Sequence, residues 1–207
     1  MVAELLDKET FSLEDAVVRL GAISSDEPMS KEQFIRLSER FPDLRMEREA
    51  DGKVLIMSPV KKGSGRRESR LFGLLALWYE KFNSGELFGP SSGFNLPDGS
   101  FKAADVAWLS DESLAADPAS EEEFIQIVPD FVAEIRSATD RLKKSQQKMT
   151  DNGVRLAWLI DPYEEKAYIY RQGREVEIVE GFDSKKLSGE DVLPGFEFPL
   201  EAMKRKT

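Results

Sequence analysis

The sequence predicts an α/β fold, and three patterns carry that prediction. Leu71, Leu74, Leu75, Trp78 and Phe82 recur at helical spacing and mark one long amphipathic helix. Residues 103–109, 129–136 and 154–160 are short apolar runs of strand length bounded by turn residues. Residues 166–171 and 175–180 alternate in polarity around Gln172-Gly173, as the arms of a hairpin do. With 207 residues, 41% of them hydrophobic, the chain can form one well-cored domain. We expect a single domain over residues 29–207, preceded by an N-terminal appendage over residues 1–28.

Composition narrows the chemistry. There are no cysteines and no histidines, which removes disulfides, Cys/His zinc sites, thiol nucleophiles and Ser-His-Asp triads. Carboxylate, Lys/Arg and hydroxyl chemistry remains, and a metal in such a site would be a hard, oxygen-seeking cation such as Mg²⁺ or Mn²⁺. The first residues carry acids and no long apolar run, so we expect neither a signal peptide nor a membrane span, and a cytoplasmic protein. A net charge of -10 disfavours loose, charge-driven binding to nucleic acid but leaves room for a local basic cleft.

In the appendage, Leu13 to Leu20 reads as a short amphipathic helix and Ser24-Ser25-Asp26-Glu27-Pro28 as a linker. Ser30 and Gln33 form a capping-box pattern ahead of a helix from about 31 to 41, which Pro42 stops. Strands on either side of Ala50-Asp51-Gly52 follow, ending at Met57. The long helix begins in the basic stretch Lys61-Lys62-Gly63-Ser64-Gly65-Arg66-Arg67, which suits either a phosphate-binding surface or a solvated helix start. Short strands are expected around Leu87-Phe88, around Gly93 to Leu96, and from Phe101 to Leu109. The acidic stretch Asp111 to Glu123 reads as a solvated, partly helical connection without chemistry. After the 129–136 run, Thr139 or Asp140 caps a helix to about Asp151 that carries Arg141, Lys144 and Lys148 on one face.

Two of the apolar strands contain an acid. Glu134 sits within Phe131-Val132-Ala133-Glu134-Ile135, and Asp105 within Ala104-Asp105-Val106-Ala107-Trp108. An ionised carboxylate in a buried strand needs a metal, a cation or hydrogen bonds. Glu134 equally fits an edge-strand acid with its head in water or paired to Arg136. Together with Glu47 in the early hairpin and a lysine on the following helix, these acids suit metal-assisted hydrolysis, in which two carboxylates hold Mg²⁺ and a lysine stabilises charge developing on phosphate.

Glu47-Arg48, Asp51-Gly52, Met57-Ser58-Pro59, Gly65-Arg66-Arg67, the two acid-bearing strands, Gly153 to Pro162 and Leu193-Pro194-Gly195-Phe196 occur in an order that resembles the Uma-two family. That family comprises endonuclease-like members of the PD-(D/E)XK superfamily. The resemblance spans roughly Leu44 to Phe198. It implies a restriction-endonuclease-like core, a mixed curved β-sheet flanked by helices, with Asp105 and Glu134 as metal ligands. Glu47 would complete the site. The superfamily lysine commonly lies two residues after the glutamate, where this chain has Arg136; in this family it moves to the next helix, and Lys148 fits best, Lys144 second. Two features depart from the pattern: Ala104 replaces the usual proline, and the interval from Lys148 to Asn152-Gly153 is about one helical turn shorter.

The expectation is therefore a Mg²⁺-dependent endonuclease-like hydrolase acting on DNA phosphodiesters. A homodimer is the expected assembly, since cutting both strands of a duplex needs two sites. The alternatives are a non-catalytic nucleic-acid or protein-binding module that retains the fold, and a structural domain whose acids are solvated.

Overall fold

The computed structural model describes residues 18–19, 22–24, 27–138 and 152–204. The chain begins with β1 (Val18–Arg19), β2 (Ala22–Ser24), helix α1 (Lys31–Arg40), β3 (Met46–Arg48), β4 (Val54–Met57) and the long helix α2 (Lys62–Phe82). There follow β5 (Glu86–Phe88), β6 (Phe94–Asn95), β7 (Phe101–Lys102), β8 (Val106–Leu109), the short helix α3 (Asp111–Ala116) and β9 (Phe131–Ile135). Strands β10 (Leu156–Asp161), β11 (Lys166–Arg171), β12 (Glu177–Glu180), β13 (Lys186–Ser188) and β14 (Glu197–Pro199) lead to a 3-10 turn at Leu200–Met203. No described helix is long and apolar enough to cross a membrane.

Two six-stranded sheets organise these elements, one in the order β1-β2-β4-β3-β7-β6 and the other β12-β11-β10-β9-β8-β5. Strands β13 and β14 form a separate pair. In the second sheet β9 and β10 run parallel and their neighbours antiparallel. A parallel pair needs a long crossover, here the stretch 136–155. The helix expected there, with Lys144 and Lys148, lies outside the described residues.

Local chemistry explains the element ends. The Ser30 hydroxyl accepts the Gln33 N–H at 3.2 Å while Gln33 Oε1 accepts the Ser30 N–H at 2.8 Å, closing the expected capping box on α1. Phe34 and Leu37 on that helix are buried. In the β3–β4 turn Gly52 has φ +87°, and a Cβ there would lie 2.9 Å from Pro28 Cβ and 3.0 Å from the Met29 carbonyl. Only glycine meets both demands.

Alternation along β9 divides the second sheet into two apolar faces. Phe131, Ala133 and Ile135 join Leu71, Leu75 and Trp78 of α2, with Trp108, Trp158 and Phe196, in the largest core. Val132 lies on the opposite face with Ala107, Leu109, Leu159, Tyr168, Tyr170 and Phe94. The alternation puts Glu134 on this second face.

Two sequence expectations need correction. Val18–Arg19, expected within a helix, is a strand. The expected strand from Phe101 to Leu109 is two strands, β7 in the first sheet and β8 in the second, because the backbone at 103–105 leaves one ladder to join the other.

Asp130, at the foot of β9, ties helix α3 to the sheet. It accepts the Ser110 N–H at 2.8 Å, the Ser113 hydroxyl at 2.7 Å and Arg155 Nη1 at 3.2 Å. Burial pushes this carboxyl up, but the Ser110 N–H, the two serine hydroxyls and Arg155 outweigh it and hold the group below the ordinary carboxylate range. A carboxyl lowered in the folded state stabilises fully above its unfolded value and loses that contribution as pH falls through the folded one. Melting curves of wild type and Asp130→Asn should therefore differ most near neutrality and converge below about pH 4, close to the unfolded carboxyl pKa.

Candidate active site

The pairing of β8 with β9 sets Val106 against Ala133. Asp105 lies at the bend just before β8, and Glu134 follows Ala133 in β9, so the two acids adjoin the last pair of this ladder. Asp105 is buried, and its Oδ2 accepts the Ile135 N–H at 2.8 Å. This bond replaces the ladder partner that β9 loses where β8 begins, and it holds the Asp105 side chain beside Glu134. Glu134 is half-buried.

Glu47 comes from β3 in the other sheet and is 2% exposed. Its Oε1 accepts the Ala103 N–H at 3.4 Å, so it reaches the segment that ends in Asp105. Its Oε2 lies 3.2 Å from Lys102 Nζ, and the same ammonium lies 2.8 Å from Glu49 Oε2. Glu47 thus meets the Ala103–Asp105 crossing from the first sheet, and Glu134 belongs to the second. Among the described residues no group of three or more acids is close enough to hold one metal ion. Asp105 and Glu134 form a two-carboxylate arrangement, and Glu47 is engaged by Lys102. Lys148 and Lys144 fall outside the described residues.

Sequence reasoning missed Lys102. A lysine at the end of a short strand reads as a solvated residue, and its acid partners lie far upstream in β3 and just beyond it. The one signal was its place three residues before Asp105. Arg136 has a clearer role than the sequence suggested: its Nη1 lies 2.6 Å from Oδ2 of Asp161, a fully buried acid at the end of β10. Asp161 Oδ1 also accepts the N–H groups of Tyr163 and Glu164. This pair pins the ends of the two parallel strands together. On α2, burial pushes the Glu68 carboxyl up, with Arg45 opposing.

The sequence profile of the Uma2 family, described as putative restriction endonuclease, matches residues 31–201. The chain belongs to the Uma2 family. Among solved structures, it resembles one described as a putative nuclease belonging to DUF820 from Anabaena variabilis, with a TM-score of 0.70 and 18% identity over 85% of this chain and 97% of that one. At that identity the likeness shows a shared fold. No curated protein matches the chain. The mixed α/β fold and the Uma2 membership both agree with the sequence reading.

In this Uma2 protein the fold and the site share atoms at Asp105. Asp105→Asn keeps an acceptor for the Ile135 N–H and should leave the metal-free melting temperature unchanged or slightly raised. Asp105→Ala strands that buried donor and should cost about 1–3 kcal/mol in denaturant titrations. Arg136→Ala leaves the buried Asp161 without its cation and should cost about 2–4 kcal/mol, toward the lower part of the range for broken buried pairs because Arg136 keeps some contact with water.

Proposed function

We propose that this chain is a metal-dependent endonuclease that hydrolyses DNA phosphodiester bonds at the Asp105–Glu134 edge of the second sheet. The observation that carries this reading is the buried Asp105 carboxylate held on the Ile135 N–H, next to Glu134 at the end of β9, in a member of a family described as putative restriction endonuclease. The donor set fits the metal: Mg²⁺ is commonly bound through one or two carboxylates and keeps several waters. Asp105 and Glu134 would hold Mg²⁺ or Mn²⁺, which supplies Lewis-acid polarisation of the phosphate and a lowered pKa for a bound water.

The protein's own groups do the rest. The Ile135 N–H fixes the Asp105 carboxylate in place before substrate arrives, so little reorganisation is needed. Glu47 holds the Ala103 backbone and Lys102, which sets the approach to Asp105 from the other sheet. Lys148, or secondly Lys144, would stabilise charge developing on the phosphate.

DNA would reach the site from the side of α2. A cleft of about 1260 Å³ lies by α1 and the 117–126 segment, and carries Glu39, Asp43, Glu86, Asp117, Glu121, Glu122 and Glu123 against a single cation, Arg45. A phosphate backbone is repelled there. Cutting both strands supports a cytoplasmic homodimer as the working assembly, which sedimentation of the purified protein would test.

One observation favours a second reading, a non-catalytic binding module: Glu47 already has Lys102 as its cation, and three acids do not gather. Metal and cleavage measurements separate the two. Mg²⁺ or Mn²⁺ should raise the melting temperature of wild type by mass action, and Asp105→Asn and Glu134→Gln should lose most of that rise. Wild type should cleave DNA only with metal, Glu134→Gln should not cleave, and Lys148→Ala should cut single-turnover rates by about tenfold to a hundredfold while leaving the metal response intact. Metal-independent melting together with no cleavage of any DNA offered would favour the binding module.

A further inference from the structure

Arg66 and Arg67 stand near the start of α2, and both turn to one atom. Arg66 Nη2 and Arg67 Nε donate to the carbonyl oxygen of Met203 at 3.1 and 3.2 Å. Sharing one acceptor brings two guanidinium groups together, and like charges so close repel. Among the described residues neither arginine pairs with a carboxylate. Arg136, Arg155 and Arg171, by contrast, all have acid partners. The repulsion is relieved when an anion joins the pair.

The surroundings are rigid. The Arg67 guanidinium carbon lies 5.4 Å from the ring centre of Tyr163, and that of Arg136 lies 5.8 Å from the same ring. Tyr163 is 45% exposed, and its backbone N–H is held at 2.9 Å by buried Asp161. Arg136 also lies over the ring, while Asp161 holds the Tyr163 backbone. Tyr163 follows the end of β10, beside the end of β9 that carries Glu134, so the arginine pair and the two acids lie along one edge of the sheet. Each guanidinium gives one N–H direction to Met203 and keeps others, in the forked arrangement that matches phosphate oxygens.

We propose that Arg66 and Arg67, with Tyr163 steering Arg67, form a ledge that grips a backbone phosphate of the DNA strand beside the cut, without needing metal. This rests on the reading that the chain acts on DNA, and it adds which residues hold the strand and on which side.

Binding is measured by fluorescence anisotropy of a labelled oligonucleotide, single-stranded and annealed, in buffer with EDTA so that no cleavage occurs, over a series of salt concentrations. Wild type should bind, and Arg66→Ala/Arg67→Ala should lower the slope of log affinity against log salt by about 1, the effect of losing one neutralised phosphate. Arg66→Lys/Arg67→Lys should keep most of the slope while weakening binding, since the charge remains and the fork is lost. Tyr163→Phe should bind like wild type, and Tyr163→Leu about twofold to fivefold more weakly, the size of an exposed cation–π contact.

Melting curves establish that each variant is folded; if the alanine pair does not fold, the lysine pair and Tyr163→Leu carry the test. An unchanged slope and affinity in a folded alanine pair would overturn the ledge. So would a wild type that binds no oligonucleotide, or one that inorganic phosphate displaces no better than chloride does at equal ionic strength. Metal-dependent cleavage by wild type, scored separately against Glu134→Gln, distinguishes these failures from failure of the nuclease reading.

Discussion

The backbone crosses from one sheet to the other at Ala103-Ala104-Asp105, and two carboxylates satisfy what that crossing leaves open. Strand ladders satisfy N–H groups automatically, but a chain that leaves one ladder for another strands donors on both sides. Glu47 takes the Ala103 N–H and Asp105 takes the Ile135 N–H. Both acids are buried, so their bonds matter more than they would in water. Asp105, one of the two acids proposed for chemistry, is thus also one of the acids that satisfy the crossing between the sheets. Stability and function are coupled at that position, and only substitutions that keep an acceptor separate the two.

The distribution of charge follows a different logic from the total. Acids accumulate in the segment after α3 and around the cleft beside α1, where serine hydroxyls and backbone N–H groups meet several of them. The cations near the start of α2 include two arginines tied to the chain's own 3-10 turn without acid partners. A net charge of -10 therefore describes the sum of two unlike regions, and nucleic acid responds to the region it meets.

Periodic features were legible in the sequence because they depend on neighbours. The capping box at Ser30, the apolar face of α2, the alternating β11–β12 arms and the acid inside β9 all arise from contacts within a few residues. The order of short motifs pointed to the Uma2 family for a related reason, since each motif is a local turn or strand. What was not legible depends on residues distant in the chain. Nothing in Phe101 to Leu109 announces that Glu47 will draw the Ala103 backbone away, and so one apolar run becomes two strands. Nor does Arg136 declare that its partner is Asp161, since its place two residues after Glu134 suggested pairing with that acid instead. The basic stretch at 61–67 was compatible with a phosphate surface or a solvated helix start. Convergence of Arg66 and Arg67 on the Met203 carbonyl, a contact between opposite parts of the chain, is what favours the first.

Lys102 changes how the candidate site should be understood. Its ammonium lies between Glu47 and Glu49, at 3.2 and 2.8 Å, and only a small part of its side chain is exposed. A cation already in place near two acids does part of the work a metal would otherwise do, because each carboxylate gains a counter-charge without giving up ligand oxygens elsewhere. Glu47 could turn toward a metal only by weakening its contact with Lys102, and in a partly buried setting that exchange costs more than it would in water. The resting arrangement is therefore two acids, Asp105 and Glu134, with a third held in reserve by a lysine from the same crossing. Under the proposed function, two acids alone would bind a metal weakly until substrate phosphate added its own oxygens, which would tie assembly of the centre to the arrival of the strand.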